Sequence, residues 1–389
     1  MPPDPFAHPS SILRPSYTPL LAPPITQPND ERTFPLSQRS PNAPPTPPQP
    51  PPSLPHTPNR TIITPMATIT VPAREQHHPH LRPLNILRDL PQVADLIELC
   101  FANTMDSEGR RYVQDMRRAG TDNSFLKWAN RVAETTTLPL TGYIWEHNGH
   151  IIGNVSLVPF RHHKTRLYLI ANVAVHPDHR RKGIARALTQ RALQHTHDKK
   201  VDNTWLHVRH DNLEAIRLYT SLGFIERARR TNWQAPTDNH TQLLHTDITI
   251  TKRTPRHWDQ QRNWLTRLYP DPLAWHINWN FAPLKPGLTT WLYLLLLDIN
   301  IRQWAAVQKD TLLATLSWIP TGRGESLFPA LPEETDPEAL TQLLLHARRE
   351  LHHIYPTLSL EFPVSRFDNA IQAAGFKPLR TLIWMQATS

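Results

Sequence analysis

Cysteine is nearly absent from this chain of 389 residues, in which Cys100 is the single thiol. One thiol cannot form an intramolecular disulfide, which excludes a disulfide-stabilised scaffold and favours a reducing compartment. Cys100 occupies an apolar position in a helical pattern, so we expect it to pack in a core rather than to act as a nucleophile. The sequence after Met1 also lacks the apolar core of a signal peptide. These features predict a cytoplasmic location.

Long apolar runs are missing as well. The longest, Trp291–Leu297 (WLYLLLL), is much shorter than the roughly 20 residues that a membrane-spanning helix needs. The formal net charge of +9 is spread along the chain, with 33 acidic residues among 42 basic ones. Such mixing is typical of a solvated surface and not of a basic nucleic-acid-binding patch. We therefore expect neither a membrane nor a nucleic acid as a partner.

Glycine is scarce, with 11 residues, whereas proline is abundant, with 41. Residues 1–65 contain 21 of the prolines and no glycine. The cluster Pro44–Pro52 (PPTPPQPPP) and the lack of a periodic apolar face predict a disordered tail with polyproline II character. This tail is interpreted as a docking segment for a proline-binding partner or as a dispensable extension. Met66 is an alternative translation start, which would leave the tail out of the protein.

Strand and helix patterns alternate between residues 81 and 250. The predicted strands are Leu81–Leu87, Tyr143–Glu146, His150–Phe160, Leu167–Val175, Trp205–Val208, a strand from Phe224, and Leu243–Ile250, which is expected to close the sheet. The predicted helices are one capped by Asp89, one over about Arg110–Thr135, one over Gly183–His197 and one capped by Asp211. This order predicts an α/β domain.

A basic turn stands between the strand that ends at Val175 and the helix that follows it. It runs from Arg180 to Ala185 and reads RRKGIA. Main-chain N–H groups at a helix start lack partners within the helix, and the helix dipole there favours an anion. Gly183 would let that anion approach the main chain. The turn therefore predicts a phosphate-binding site.

Two motifs resemble those of the GNAT acetyltransferases. Arg180, Gly183 and Ala185 match the family signature Gln/Arg-x-x-Gly-x-Gly/Ala. The pattern Asn-x-x-Ala-x-x-Leu-Tyr-x-x-x-Gly-Phe is matched at Asn212, Ala215, Leu218, Tyr219, Gly223 and Phe224. The resemblance covers roughly residues 81–250. It implies the GNAT (acyl-CoA N-acyltransferase) fold, an α/β fold with a mixed central sheet flanked by helices.

The resemblance also implies a co-substrate, an acceptor and a set of site residues. Acetyl-CoA is the expected co-substrate, and the expected acceptor is a primary amine in a small molecule or at a peptide N-terminus. The implied acetyl-CoA-binding residues are Val173, Val175, Arg180, Arg181, Lys182, Gly183, Ile184, Ala185 and Asn212. Tyr219 matches the general acid of the family. No metal is expected, because the reaction needs none and the pair His162-His163 lacks ligand spacing.

His207 is the candidate general base. Relatives that acetylate protein N-termini read Leu-Glu-Val-Arg before the motif asparagine, whereas this chain reads Leu206–Arg209 (LHVR). Histidine can act as a base near neutral pH, although a strand histidine can also be a plain surface residue. The change from glutamate to histidine weakens any transfer of the protein N-terminus specificity.

The pattern partly repeats after Pro255. The repeated parts are a hairpin at Trp304–Val307 and Leu312–Ile319 around Lys309-Asp310, a helix at Leu340–Leu351 and a strand-helix unit at Leu358–Phe376. The site chemistry does not repeat. Acidic residues within Pro332–Glu338 replace the basic turn and would repel a diphosphate, and Ile371 stands where the first copy has Tyr219.

We therefore predict two tandem GNAT copies behind the tail. The predicted division is a disordered tail over 1–65, a catalytic GNAT domain over 80–253 and a degenerate GNAT-like domain over 255–389. The predicted function is acetyl-CoA-dependent N-acetylation of a primary amine. The alternative is a non-catalytic acyl-CoA sensor or assembly module.

Overall fold

The computed structural model describes residues 78–105, 107–120, 140–162, 164–238, 246–275, 281–320 and 325–388. The described residues all belong to one compact unit. The tail predicted over 1–65 lies outside them.

Twelve strands and eight α-helices form the described part. The strands are β1 (Leu81–Pro83), β2 (Thr141–His147), β3 (His150–His162), β4 (Thr165–Val175), β5 (Asn203–Arg209), β6 (Phe224–Pro236), β7 (Thr249–Lys252), β8 (Arg302–Gln308), β9 (Thr311–Ile319), β10 (Glu325–Ala330), β11 (Thr357–Pro363) and β12 (Lys377–Ala387). The helices are α1 (Ile86–Phe101), α2 (Ser107–Ala119), α3 (Ile184–Asp198), α4 (Leu213–Ser221), α5 (Trp258–Leu268), α6 (Leu288–Leu296), α7 (Pro337–Glu350) and α8 (Asp368–Ala373).

All twelve strands join one mixed sheet in the order β1-β2-β3-β4-β5-β12-β6-β11-β10-β9-β8-β7. Only the pairs β4–β5 and β10–β11 among these are parallel. Strands β1 to β5 occupy one side of the sheet and β7 to β11 the other, so the same five-strand arrangement occurs twice. The predicted α/β class with a mixed sheet flanked by helices is confirmed.

The two halves exchange their final strands at the centre of the sheet. β12, the final strand of the chain, pairs with β5, and Trp384 lies opposite His207. β6, the final strand of the first half, pairs with β11, and Trp233 lies opposite Leu360. β6 and β12 also pair with each other from end to end. The fifth strand of each half is therefore bordered by the final strand of the other half.

The prediction that Leu243–Ile250 closes the sheet of the first half was wrong. Its described end enters β7, which pairs with β8 at the opposite edge, where Ile250 faces Ala306. The place beside β5 is taken by β12 instead. The prediction assumed that the closing strand is near in sequence, whereas the strand that pairs with β5 lies in the second half. Residues 243–245 lie outside the described residues.

Helix α1 begins earlier than predicted. Asn85 is its cap, because its side chain accepts a hydrogen bond from the Leu87 main-chain N–H at 3.0 Å. Asp89, the predicted cap, is buried and accepts two hydrogen bonds from the Arg82 guanidinium at 2.6 and 2.9 Å. Burial alone would raise the pKa of Asp89, but the hydrogen bonds from Arg82, the Asn85 N–H and Arg88 lower it. The residues predicted as the end of a first strand, after Pro83, therefore belong to the helix start.

The turns of both predicted hairpins are confirmed. Asn148 and Gly149 join β2 to β3 with φ angles of 50° and 77°. Lys309 and Asp310 join β8 to β9 with φ angles of 46° and 64°. Positive φ at both central residues matches the twist of the flanking strands in a two-residue turn. Helix α2 overlaps the second predicted helix only in part, and residues 121–139 of that prediction lie outside the described ones.

Helices cover both faces of the first half of the sheet. On one face α3 and α4 pack with β3, β4 and β5 through Leu188, Val155 and Leu206. On the other face α1 and α2 pack together through Ile97 and Val113. In the second half α7 and α8 join the central strands in one core. Two helix layers therefore enclose the ends of β4 and β5.

A buried ion pair links the two halves at the centre of the sheet. The Arg230 Nε of β6 donates to the Glu361 carboxylate of β11 at 2.7 Å, and only 2% of the Arg230 side chain is exposed. The same guanidinium donates to the Leu268 carbonyl at 2.9 Å and lies 5.1 Å from the Tyr269 ring centre. Burial raises the pKa of Glu361, and Arg230 opposes that rise.

Candidate active site

The parallel strands β4 and β5 pair only over their first residues. Their register runs from Leu167 opposite Asn203 to Ile170 opposite Leu206, and no pair follows it toward Val175. β4 stays paired with β3 on its other side, and β5 stays paired with β12. The sheet therefore opens into a gap between the ends of β4 and β5.

A bulge in β4 borders this gap. Asn172 has a φ of 50°, and the register between β3 and β4 shifts between Asn154 and Ser156. The Asn154 side-chain amide donates to the Asn172 carbonyl at 2.9 Å and holds the bulge in place. The Asn172 amide in turn donates to the Tyr112 hydroxyl of α2 at 2.9 Å. The bulge is thus fixed by buried polar side chains.

The main-chain groups of Val173 and Val175 face the gap. The His176 N–H donates to the Ile152 carbonyl of β3 at 2.8 Å. Because alternate residues of a strand direct their main-chain groups to opposite sides, those of Val173 and Val175 point away from β3. The Val175 carbonyl also accepts a hydrogen bond from the Arg180 Nε at 3.3 Å.

Helix α3 begins at an open turn. Arg181 and Gly183 have φ angles of 58° and 80°. Gly183 is the N-cap residue, no side chain caps the helix, and its first turn carries no acidic residue. A Cβ added at Gly183 would meet no atom within 4 Å. The space in front of Gly183 is therefore open, which leaves room for an anion at the start of α3.

Three cations surround this turn. Arg180 is half-buried and is oriented by its bond to Val175, whereas Arg181 and Lys182 are exposed. Among the described residues, no carboxylate pairs with any of the three. Their charge is therefore left for a ligand rather than neutralised within the fold.

Replacing Arg180 by alanine is expected to weaken acetyl-CoA binding about tenfold or more, since a charge-assisted phosphate contact is worth roughly 1.5–3 kcal/mol. Isothermal titration measures the change. Arg191→Ala is the matched control, because Arg191 lies on α3 away from the turn and pairs with Asp198 at 3.9 Å. If Arg180→Ala leaves the affinity unchanged, or if titration shows two equivalent acetyl-CoA sites per chain, this turn is not the diphosphate-binding site.

Asn212 is buried at the start of α4. Its Oδ1 accepts a hydrogen bond from the Ala215 N–H at 3.1 Å and so caps the helix. Asp211, the predicted cap, instead accepts hydrogen bonds from Arg209 at 2.8 and 3.0 Å, and this bonding lowers its pKa. The prediction was therefore off by one residue.

Tyr219 lies on α4 in the core cluster that borders the gap. Its side chain is 3% exposed and packs in one cluster with Val173, Val175 and Ile184. Its ring meets the Phe224 ring edge to face, with centres 6.0 Å apart. Burial raises the pKa of the Tyr219 hydroxyl, so the phenol stays protonated well above neutral pH.

His207 lies on the opposite face of β5. Side chains alternate along a strand, and its neighbours Leu206 and Val208 face the Tyr219 cluster. The His207 ring packs against two indoles, with its centre 4.4 Å from that of Trp384 and 5.9 Å from that of Trp275, and the two indole centres are 6.1 Å apart. The structure therefore does not place the two candidate catalytic residues side by side. They lie on either side of the sheet next to the gap.

Sequence reasoning missed three contributors to this site. Trp275 and Trp384 both come from the second half and enclose His207. Asn172 forms the bulge beside the gap, with a φ of 50°. The one local signal was the asparagine inside an otherwise apolar strand. The two tryptophans carry no motif, because their place beside His207 depends on the strand exchange.

Cys100 is buried in the cluster of α1, as predicted. Its thiol donates to the Val175 carbonyl at 3.3 Å. Burial raises its pKa, which keeps it as a thiol and agrees with a packing role.

The corresponding positions of the second half lack the same features. Helix α7 is capped by Asp336, whose side chain accepts from the Glu338 N–H at 3.0 Å. A carboxylate thus occupies the place where an anion would bind. Ile371, at the position of Tyr219, is fully buried in the core.

Residues 102–224 match the model of the acetyltransferase (GNAT) family. The predicted resemblance to the GNAT acetyltransferases is confirmed over that segment. A stretch of 73 residues is 43% identical to a [ribosomal protein bS18]-alanine N-acetyltransferase of Escherichia coli, and covers 19% of this chain and 49% of that protein. A stretch of 121 residues is 31% identical to a mycothiol acetyltransferase of Frankia casuarinae, and covers 28% and 34%.

This chain therefore spans about half the length of the first curated relatives that it matches. Among solved structures, a tandem GNAT protein from the clavulanic acid biosynthesis pathway matches 79% of this chain and 97% of its own, with 16% identity and a TM-score of 0.41. A GCN5-related N-acetyltransferase from Sphaerobacter thermophilus matches 79% and 95%, with 13% identity and a TM-score of 0.46.

Among the described residues, no helix combines the length and the apolar character needed to cross a bilayer. Within the same ranges no group of three or more histidine, cysteine, aspartate or glutamate side chains could hold a metal ion.

Proposed function

We propose that the chain is an acetyl-CoA-dependent N-acetyltransferase that acts on a primary amine. The observation that carries this proposal is the open, uncapped start of α3 at Gly183 beside the gap between β4 and β5. Tyr219 is buried in the cluster that lines the same gap. Together they give an anion site and a protonated hydroxyl at one opening of the sheet.

The residues around the gap fit acetyl-CoA, which would supply its acetyl group as an activated thioester. The residues that would hold it are Arg180, Arg181, Lys182, Gly183, Ile184 and Ala185 at the diphosphate, and Val173, Val175 and Asn212 along the pantetheine arm. The fit rests on the space in front of Gly183 and on the strand pairing that ends at Ile170. The main chain beyond Ile170 can then bind an amide-containing chain as an added strand would.

Tyr219 would provide the proton that the departing thiolate needs. Its hydroxyl holds that proton at neutral pH, because burial raises its pKa. The buried ring has no room to turn away, since it is packed against Phe224 and the Val173 side of the cluster. The hydroxyl is therefore held in one place relative to the gap, as a general acid must be.

His207 would accept the proton of the acceptor ammonium at an imidazole nitrogen. Its position on the other face of β5 separates this base from Tyr219, the acid. The base would therefore act on the acceptor from one side of the gap, and the acid would protonate the thiolate from the other side. Trp275 and Trp384 pack against the ring, which is 5% exposed. The second half would thus complete the acceptor side of the site.

Replacing His207 by glutamine is expected to lower kcat/KM by about 100-fold or more at neutral pH, the usual size of a general-base contribution. The acetyl-CoA affinity should stay as in the parent, because the base acts on the acceptor and not on the co-substrate. His210→Gln, at an exposed position just after β5, is the control and should keep both kcat/KM and affinity. A parent-like kcat/KM for His207→Gln would exclude the base role.

The acceptor class is taken from the names of the relatives. One acts on the alanine of a ribosomal protein and another is a mycothiol acetyltransferase. The matched segments contain the co-substrate motifs, whereas the acceptor side includes Trp275 and Trp384, which lie outside the family match. We therefore propose that the acceptor is a primary amine, either in a small molecule or at a peptide N-terminus.

The test is release of free CoA thiol from acetyl-CoA over a panel of amines and N-terminal peptides. Acceptor-dependent release that is lost in Tyr219→Phe is the expected result. Acetyl-CoA binding without release from any acceptor, and with equal affinity in Tyr219→Phe, would instead support a non-catalytic acyl-CoA sensor.

The division of labour within the chain is part of this proposal. The first half, through β6, would carry the chemistry, and the second, from β7 onward, would supply β12 and the two tryptophans. The acidic cap of α7 at Asp336 argues against a second acetyl-CoA site. The cytoplasmic location rests on the sequence alone and stays a prediction.

A chain that begins at Met66 is expected to keep the melting temperature and the turnover of the full chain. The composition of residues 1–65, rich in proline and without glycine, gives no periodic apolar face that a core could use. Thermal unfolding and the thiol-release assay check this. A clear fall in either quantity would mean that the tail binds the fold, and the prediction of a dispensable tail would fail.

A further inference from the structure

Helix α6 exposes an apolar stripe. None of its residues is buried. Tyr293 is 52% exposed, and the other five large exposed side chains of the helix are Leu288 at 77%, Trp291 at 57%, Leu292 at 47%, Leu295 at 59% and Leu296 at 75%. We call these five residues the leucine stripe. Apolar side chains of this number and exposure on one short helix mark a surface that is covered in the working protein.

The stripe has the spacing of a helix–helix contact. Starting from Leu288, its members fall at i, i+3, i+4, i+7 and i+8, which places them on one face of α6. The helix is turned so that Thr290 and Leu294 are its more covered residues. The apolar face therefore points outward, away from the core of its own chain.

Helix α6 has little to stabilise it within the chain. It has nine residues, and isolated helices shorter than about 12 residues are marginal in water. Gly287 offers no side-chain cap, the first turn has no acidic residue, and the last turn has no basic one. Packing on the leucine stripe is the remaining source of stability.

We propose that α6 pairs with α6 of a second copy of this chain, antiparallel and about a two-fold axis near Leu292. A two-fold contact uses the same patch twice, so a stripe that is apolar along its whole length is complementary to itself. The pair would bury leucine against leucine over about two turns of each helix.

Charges at the two ends of α6 favour the antiparallel direction. Lys285 lies just before the helix and Asp298 just after it, and both are exposed. Neither forms an ion pair with a described residue. An antiparallel pair centred near Leu292 brings Lys285 of each copy close to Asp298 of the other. A parallel pair would place like charges together, which is unfavourable.

The size of the stripe suits a dimer. Its five side chains are each 47–77% exposed, which puts the stripe on the order of the largest patches found on monomers, roughly 300–600 Å². It would supply the apolar centre of an interface to which each partner contributes roughly 800 Å². A lipid surface fits less well, because helices that lie in a membrane interface carry lysine or arginine on their polar face. α6 itself contains no charged residue.

Sedimentation of the full chain over a range of concentrations tests the pairing. The expected result is a species with twice the 44.8 kDa mass of the chain, and Leu296→Glu should raise its dissociation constant at least tenfold. Leu87→Glu is the matched control, because Leu87 is 48% exposed on α1. Circular dichroism confirms that both variants are folded. A monomer at every concentration, or a dimer that Leu296→Glu does not weaken, would overturn the proposal.

Charge reversal separates this pairing from other occupants of the stripe. Lys285→Glu and Asp298→Lys should each weaken the dimer, and the double variant should restore it. Failure of the double variant to restore the dimer contradicts the antiparallel arrangement.

Flotation of a monomeric parent with phosphatidylcholine vesicles, lost in Leu296→Glu, would assign the stripe to a lipid surface instead. A dimer that forms only after residues 1–65 are removed would assign it to the tail. Either result would overturn the pairing in the full chain.

Discussion

Replacing Tyr219 by phenylalanine is expected to lower turnover by about 10²- to 10⁴-fold, the usual contribution of a positioned general acid. Acetyl-CoA affinity and the melting temperature should change little. The substitution removes one hydroxyl from a ring that packs with Val173, Ile184 and Phe224, and it leaves that packing in place. What is lost is the proton for the departing thiolate.

The pKa of Tyr219 gives this prediction a pH dependence. A general acid works in its protonated form, so turnover would fall as pH rises through the pKa of the hydroxyl. Burial raises that pKa above the ordinary value for tyrosine, which is about 10. We therefore expect no loss of turnover from this group between neutral pH and about pH 10.

Tyr143→Phe is the matched control for Tyr219→Phe. Tyr143 is also buried in the same cluster, and its hydroxyl is 3.0 Å from the His195 Nδ1 rather than beside the gap. This variant should lose some stability and keep turnover. Steady-state turnover, isothermal titration and thermal unfolding are compared for both. Full turnover in Tyr219→Phe would leave Tyr219 as a packing residue, and a joint loss of turnover, affinity and stability would indicate structural damage.

Replacing Glu361 by alanine is expected to lower the free energy of unfolding by about 3–5 kcal/mol, because it leaves the buried Arg230 guanidinium without its carboxylate. The pair joins β6 of the first half to β11 of the second. For a chain of this size such a loss lowers the melting temperature by on the order of 10 °C. Thermal and denaturant unfolding measure it.

The chain offers an exposed pair as the control. Glu226 and Arg229 form an ion pair at 3.0 Å, but both side chains are more than 40% exposed. Glu226→Ala should therefore cost less than about 1 kcal/mol. Replacing Arg230 and Glu361 together by methionine and leucine should recover most of the stability, since no buried charge remains. A cost for Glu361→Ala no larger than that of Glu226→Ala would show that the central pair contributes little.

The local parts of the site could be predicted from sequence because their causes are local. The turn at Gly183 needs a positive φ and an open start to the next helix, and both follow from residues within a few positions of it. The Asn148-Gly149 hairpin is predictable for the same reason. Helix caps were harder to predict. Asn85 and Asn212 each have a nearby aspartate that could also cap the helix, and an arginine close in space donates hydrogen bonds to that aspartate instead.

The non-local parts could not be predicted. β12 is the strand that borders β5. Nothing in the sequence around Trp205 or Trp384 indicates that these residues lie on paired strands. The environment of His207 depends on that pairing, so sequence motifs could not predict that Trp275 and Trp384 lie next to it. The alternation of side chains along β5 turns His207 away from the Tyr219 cluster, which Leu206 and Val208 face.

The exchange of final strands also has a consequence during protein synthesis. β5 ends at Arg209, and β12 begins at Lys377, so the strand that borders β5 leaves the ribosome about 170 residues later, or roughly 10–30 s at usual elongation rates. Throughout this interval the nascent first half presents an unpaired edge at β5, of the kind that invites wrong pairing. A folding helper that shields this edge would act until β12 emerges. His207 meets Trp384 only after that, so catalytic competence would be acquired once β12 has been made rather than domain by domain.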